Sequence, residues 1–115
     1  MPQTIRTKSY IVWQLLDTFD NHIEVRTDAS ARFLIMSIFD FVNFLNGTQY
    51  SAAYNSTGTQ FTADVHLSQG CAVYVFVIVN LATSPNIVYP DITATYAPTP
   101  FLTGVCGSGV ISCVS

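Results

Sequence analysis

The sequence predicts an all-β domain: an antiparallel β-sandwich of the jelly-roll or Greek-key kind, with seven or eight strands and one short helix near residues 40–46. Segments rich in β-branched and aromatic residues recur roughly every 10 residues, with turn-forming residues between them. The longest apolar run, residues 71–80, is too short to span a bilayer and suits a buried strand. A length of 115 residues fits one domain.

Seven segments are predicted as strands, because turn-forming residues flank them and their side chains either alternate or are apolar throughout. We expect segment 71–80 at the centre of the sheet. Pro90 places the last strand at an edge or a bulge, since proline has no N–H to donate. The predicted strands are 4–16, 22–27, 31–38, 49–55, 59–67, 71–80 and 87–97, and turns are predicted at 17–21, 28–30, 56–58, 68–70 and 84–86.

The alternating segments predict which side chains face the core. In segment 22–27, Ile23 and Val25 point inward, while the polar residues between them point outward. In segment 49–55, Tyr50, Ala52 and Tyr54 are expected on one face.

One segment has the spacing of a short helix. Asp40 is expected to cap its first turn, and Phe41, Phe44 and Leu45 recur at the spacing of one helical face. Gly47 suits the left-handed conformation that ends a helix. Two turns are too few for stability in isolation, so this helix must pack on the sheet.

The chain divides into a sandwich domain over residues 1–97 and an uncharged tail over residues 98–115, rich in Gly, Ser and Cys. We expect the tail to pack on the sandwich or on a neighbouring subunit.

The lysine and arginine residues are confined to the first 32 residues of the chain. Residues 33–115 contain no lysine or arginine and only three carboxylates. Such a surface suits a protein outside the cell, on a cell surface or in a virion, or one whose faces are covered by copies of itself. With four cations and a net charge of −3, nucleic acid is not an expected partner.

Residues 31–97 resemble the small β-sandwich modules of the GOLD (Golgi dynamics) type. The shared pattern is an apolar strand (33–36), an aromatic turn with Asn-Gly (39–47), an alternating strand ending at Gly70, the strand 72–80 ending in Asn, and a last strand (91–96). The dipeptide Gly70-Cys71 stands where those modules commonly have a Gly-x-Tyr-Tyr run, and the tail has no counterpart. The resemblance implies a partner-binding module or an accessory domain of surface proteins.

Two of the three cysteines could close a small loop. Glycines between Cys106 and Cys113 let the chain fold back, so a disulfide is expected in an oxidising compartment, with two free or buried thiols as the alternative. Cys71 opens a core strand and is expected to act as a small apolar residue. The spacing does not fit structural zinc.

Four acidic residues lie close together in the sequence and are candidate calcium ligands: Asp17, Asp20, Glu24 and Asp28. The alternative is that turns favour Asp for its own backbone hydrogen bonds.

Two further kinds of site are suggested. Asn46 and Asn55 begin N-glycosylation sequons at predicted turns. Tyr50 and Tyr54 are candidates for stacking on a carbohydrate, within an aromatic set that also includes Trp13, Tyr89 and Tyr96. The alternative is that these rings fill the core.

No catalytic residues and no cofactor are predicted. Asp64 and His66 share one strand face, but no nucleophile accompanies them. We therefore expect a non-enzymatic structural or interaction protein: a self-assembling subunit of a surface filament, capsid or cell envelope. The alternative is a module that binds a carbohydrate or a protein partner.

Overall fold

Six strands and one helix make up the part of the chain that the computed structural model describes, residues 2–15, 19–66 and 73–96. The all-β class is therefore confirmed, whereas the two separate sheets of a sandwich are not: the described strands form one curled sheet. The elements are β1 (Gln3–Ile5), β2 (Tyr10–Leu15), β3 (Phe19–Ser37), α1 (Ile38–Leu45), β4 (Tyr54–His66), β5 (Tyr74–Asn80) and β6 (Asn86–Tyr96).

Strand β3 organises the sheet, and all pairings are antiparallel. β4 pairs with it along one side. On its other side, residues 19–27 pair with β6 and residues 31–37 pair with β5. β1 then pairs with β6, and β2 with β5. β5 is an interior strand as expected, but β3 is the strand with most neighbours.

This change of partner divides the sheet into two parts. We call residues 19–27 of β3, residues 60–66 of β4, β6 and β1 the open half. We call residues 31–37 of β3, residues 54–58 of β4, β5 and β2 the covered half. Pro90 lies beyond the β1–β6 pairing, on a stretch of β6 with no outer neighbour among the described residues.

The two halves meet at a bulge in β3. A turn at residues 28–30 was the expectation, and this prediction is wrong: one 19-residue strand continues through the position. Its pairing with β4 shifts between Arg26 and Ala31. The buried Asn86 binds the backbone of the bulge: its Oδ1 accepts from the Ala29 N–H (2.9 Å), and its Nδ2 donates to the Ala29 carbonyl (2.8 Å). The chain therefore bends without reversing.

Several other predicted elements differ from the structure. The predicted turn 17–21 overlaps β3, which begins at Phe19, and the predicted strand 49–55 shares only residues 54 and 55 with β4. The predicted strand 4–16 is interrupted by a turn, in which the Ser9 N–H donates to the Arg6 carbonyl (3.1 Å) and Lys8 has a left-handed φ of 56°. The predicted turn at 56–58 lies inside β4, because Gly58 accommodates an irregularity of the strand at φ 157°.

The inner faces of both halves close on one core. Phe61 of β4 stacks on Phe33 (5.3 Å between ring centroids) and on Phe76 (5.5 Å). Ile23 and Val25 are buried in the same cluster, as the alternation predicted.

The outer face of the covered half forms a second cluster beneath α1. Leu34, Met36, Val75 and Val77 are buried there, and the helix packs Phe41 and Phe44 over them, together with Ile38.

The helix begins two residues earlier than expected, at Ile38. Its cap is Ser37, whose Oγ accepts from the Asp40 N–H (3.2 Å) and donates to the Asp40 carboxylate (2.9 Å), so the prediction of Asp40 as the cap is wrong. Gly47 has a φ of 72° and ends the helix as predicted. In the described residues no helix has the length and apolar character needed to cross a membrane.

Candidate functional site

The outer face of the open half carries a regular array of polar side chains, which we call the polar face. Because alternate residues of a strand share one side of the sheet, three neighbouring strands place their outward residues in rows. Each row takes one residue from β4, one from β3 and one from β6: Asp64, His22 and Thr93; Thr62, Glu24 and Asp91; Gln60, Arg26 and Tyr89.

His22, in the first row, links the carboxylate of Asp64 in its own row with that of Glu24 in the second row. Its Nδ1–H donates to the Asp64 carboxylate across the β3–β4 pair (2.5 Å), and its Nε2 lies 3.3 Å from Glu24 Oε1. The hydrogen bond with Asp64, and then that with Glu24, raises the pKa of His22 above its ordinary value.

The second row brings two acidic residues into opposition. Glu24 lies directly opposite Asp91 across the β3–β6 pair, and both side chains are exposed. Like charges in this position repel each other. Thr62, the third residue of the row, brings no compensating charge.

The third row holds the polar face's arginine. The Arg26 guanidinium lies over the Tyr89 ring, 4.4 Å from its centroid, in a cation–π contact. The Tyr89 hydroxyl donates to Asp28 (3.3 Å).

A cleft of about 270 Å³ opens between the second and third rows. It is lined by Glu24, Arg26, Gln60, Thr62, Tyr89 and Asp91. These side chains offer hydrogen-bond donors, acceptors and an aromatic edge.

The predicted stacking tyrosines do not share a face. Tyr50 lies outside the strands and packs edge-on against Phe44 in the cluster beneath α1 (5.2 Å). Tyr54 packs edge-on against Phe61 in the inner core (6.2 Å), where burial, and to a lesser extent the Asp64 charge, raises its pKa. The expectation that Tyr50, Ala52 and Tyr54 lie on one strand face is therefore wrong.

Two other rings of the aromatic set lie apart from these. Trp13 stacks on Phe76 in the core (5.6 Å). The Tyr96 side chain lies outside the described residues. Of the aromatic candidates whose side chains are described, Tyr89 lines the cleft.

The calcium candidates are only partly described. Asp17 and the side chain of Asp20 lie outside the described residues. Glu24 and Asp28 stand four positions apart on β3, roughly 13 Å along an extended strand. In the described part of the chain, no three His, Cys, Asp or Glu side chains are placed to hold a metal ion.

Asn46 and Asn55 are both exposed, so each can be reached from solvent. Asn46 caps the end of α1 at a turn, as predicted. Asn55 lies in β4 rather than in a turn, and its Oδ1 accepts from Arg32 Nε (3.1 Å). Cys71, Cys106, Cys113 and the tail 98–115 lie outside the described residues.

Sequence reasoning associated Asp64 with His66 and missed its contact with His22, which is 42 positions away in the chain. The alternation predicts that His22 and Glu24 point outward, and in the structure His22 is partly exposed and Glu24 is exposed. The missing information was the strand register, which no local pattern contains.

No protein-family profile and no curated protein sequence matches the chain. The resemblance to GOLD modules stays a prediction.

Proposed function

We propose that the chain is a non-enzymatic structural subunit that assembles with copies of itself, in an extracellular, cell-surface or virion structure. The observation that carries this proposal is the exposed edge formed by β4. Support for a location outside the cell comes from the sequence, which lacks cations over residues 33–115.

β4 is 13 residues long and pairs with β3 alone among the described strands. No other described strand pairs with its outer side, so the backbone donors and acceptors there can serve another strand. Natural edge strands are usually protected by lysine, proline or very short length. β4 contains no lysine, arginine or proline, which makes it suited to pairing with a strand of another copy.

The opposite edge differs in this respect. There the strands β1 and β2 are short, a turn with Arg6 and Lys8 separates them, and Pro90 interrupts the free stretch of β6. Protection at one edge and not at the other favours association through β4.

Exposed apolar side chains on the covered half add to this support. Phe39, Val42 and Leu45 form the outward stripe of α1, and Phe39 is 72% exposed. Tyr10 and Val12 are also exposed on neighbouring β2. Large exposed apolar surfaces are typical of contact sites.

Sedimentation velocity over a range of protein concentrations tests the proposal. We expect the native chain to associate, and we expect Thr59→Lys to weaken association by roughly tenfold or more, since a charge on an edge strand opposes pairing. Gln49→Lys adds the same charge at an exposed position outside β4 and is the matched control. A native chain that stays monomeric at high concentration would contradict the proposal.

A second candidate function is binding of a carbohydrate or a protein partner in the cleft of the polar face. Tyr89, Arg26 and Gln60 provide the mixed aromatic and hydrogen-bonding lining that such ligands use. A glycan array checks it: a positive signal should be lost in Tyr89→Ala and kept in Phe39→Ala, which removes an exposed ring elsewhere.

A further inference from the structure

We propose that the turn at residues 6–9, which we call the basic turn, docks on the polar face of a second copy of this chain. This inference rests on the proposed self-association and names a contact separate from the β4 edge. It follows from how the structure distributes charge.

The polar face carries more negative than positive charge. Glu24, Asp64 and Asp91 stand on it with Arg26, and Asp28 contacts its edge through Tyr89. Four carboxylates thus accompany one guanidinium, which already lies over the Tyr89 ring, and the His22 imidazole, which already contacts Asp64 and Glu24. The facing carboxylates of Glu24 and Asp91 would gain from a cation placed between them.

The basic turn holds the cations that lack a partner. Of the chain's four cations, Arg26 contacts Tyr89, and Arg32 donates to Asn55. Arg6 and Lys8 are exposed, and among the described residues neither side chain contacts a carboxylate. Within the described part of the chain, one copy therefore displays two cations without a carboxylate partner and, on another surface, an excess of carboxylates.

The backbone of the basic turn is fixed in place. The buried Asn80 donates through Nδ2 to the carbonyls of Ile5 (3.3 Å) and Arg6 (3.2 Å), and the Asn80 N–H donates to the Ser9 carbonyl (2.9 Å). A turn held in this way loses little conformational freedom on binding.

Lys8 adds an independent indication. Its φ of 56° lies in the left-handed region, which glycine adopts without steric cost and lysine does not. A charged side chain at such a position is consistent with a use for the charge.

A contact between two different surfaces is heterologous, so each copy has one turn and one face to offer. Repeated contacts of this kind produce rings or open filaments. The contact would be electrostatic, and we expect added salt to weaken it.

Charge reversal tests the contact in both directions. The turn-reversed variant R6E/K8E and the face-reversed variant E24K/D91K should each associate roughly tenfold more weakly than the native chain. Mixed in equal amounts, the two variants should associate again. The acidic turn of R6E/K8E then meets the basic face of E24K/D91K, and the basic turn of E24K/D91K meets the acidic face of R6E/K8E. Sedimentation velocity measures all four samples. Lys8→Gln and Gln49→Glu, which lower the net charge equally, form the matched control pair, and only the first should weaken association.

The outcomes separate this inference from the proposed function. If the native chain associates and both reversed variants do so equally well, the docking inference is wrong while self-association stands. If the native chain is monomeric, both are wrong. If circular dichroism shows that E24K/D91K does not fold, the association of Lys8→Gly tests the inference instead. This variant removes the charge of Lys8, and glycine suits the left-handed backbone at that position. Unchanged association of Lys8→Gly would then overturn the inference.

Discussion

The outer surface of β3 is apolar in the covered half of the sheet and polar in the open half. In the covered half, β3 turns Leu34 and Met36 outward, and both are buried beneath α1. In the open half it turns His22, Glu24 and Arg26 outward, with no element over them among the described residues. The inner faces are alike, since both contribute to one core. Among the described elements, one eight-residue helix thus accounts for the difference between the outer surfaces of the two halves.

The largest expected difference between the halves concerns stability. Leu34→Ala should lower the free energy of unfolding by roughly 2 to 5 kcal/mol, because it removes a buried side chain and leaves a cavity. Glu24→Ala, on the same outer side of the same strand, should change it by no more than about 0.5 kcal/mol. Denaturant unfolding followed by circular dichroism measures both. Similar losses for the two variants would mean that the halves are equally covered.

This contrast was visible in the sequence. Residues 33–36 and 74–79 are apolar without interruption, which is typical of strands buried on both faces, whereas residues 22–26 alternate. The helix and Gly47 were also predicted, because spacing and capping are local signals. These parts of the fold depend on neighbours in the sequence, so a pattern contains them.

The bulge and the polar face were not predictable in the same way. Residues 28–30 have the composition of a turn, and their bonds come from Asn86, 57 positions away from Ala29. Likewise, His22 and Asp64 meet only because β3 and β4 pair in one particular register. Long-range hydrogen bonds and register decide these features, and single-sequence reasoning has no access to either.

The second prediction concerns the bulge that joins the halves. Asn86→Ala should lower the free energy of unfolding by roughly 1 to 3 kcal/mol, because the Ala29 N–H loses its side-chain partner at a part-buried site and the Ala29 carbonyl keeps only the bond from the Thr27 hydroxyl (2.6 Å). Asn55→Ala, at an exposed position of β4, is the matched control and should have little effect. Equal stability of Asn86→Ala and the native chain, by chemical denaturation, would show that the bulge does not need this side chain.

The third prediction concerns repulsion on the open half. Asp91→Asn should raise the free energy of unfolding by roughly 0.2 to 0.5 kcal/mol, because it removes the like charge opposite Glu24. Asp64→Asn removes the same charge from the same face but weakens the hydrogen bond with His22, because a neutral amide oxygen replaces the carboxylate, so it should not stabilise. Thermal unfolding at low ionic strength compares the two. A stabilisation by Asp64→Asn as large as that by Asp91→Asn would argue against the local repulsion.

The smallest expected effect is the pH dependence that His22 gives to the open half. Hydrogen bonds with Asp64 of β4 and Glu24 of β3 raise its pKa above 6.5, and its neighbour on β6, Thr93, is uncharged. Protonated His22 therefore stabilises the fold fully below pH 6.5 while the carboxylates stay ionised, and this contribution is lost as the pH rises through the raised pKa. Since the group is exposed, solvent keeps the effect small.

His22→Gln isolates this contribution. The native chain should exceed the variant in stability at mildly acidic pH, and the difference should shrink as the pH rises above 6.5, in chemical denaturation at a series of pH values. Titration of the imidazole signals by nuclear magnetic resonance gives the pKa directly. A pKa at or below 6.5, or a difference that stays constant with pH, would mean that His22 does not bind Asp64 and Glu24 in solution as it does in the structure. The first row of the polar face would then be a set of independent side chains, and the open half would differ from the covered half only in lacking a helix.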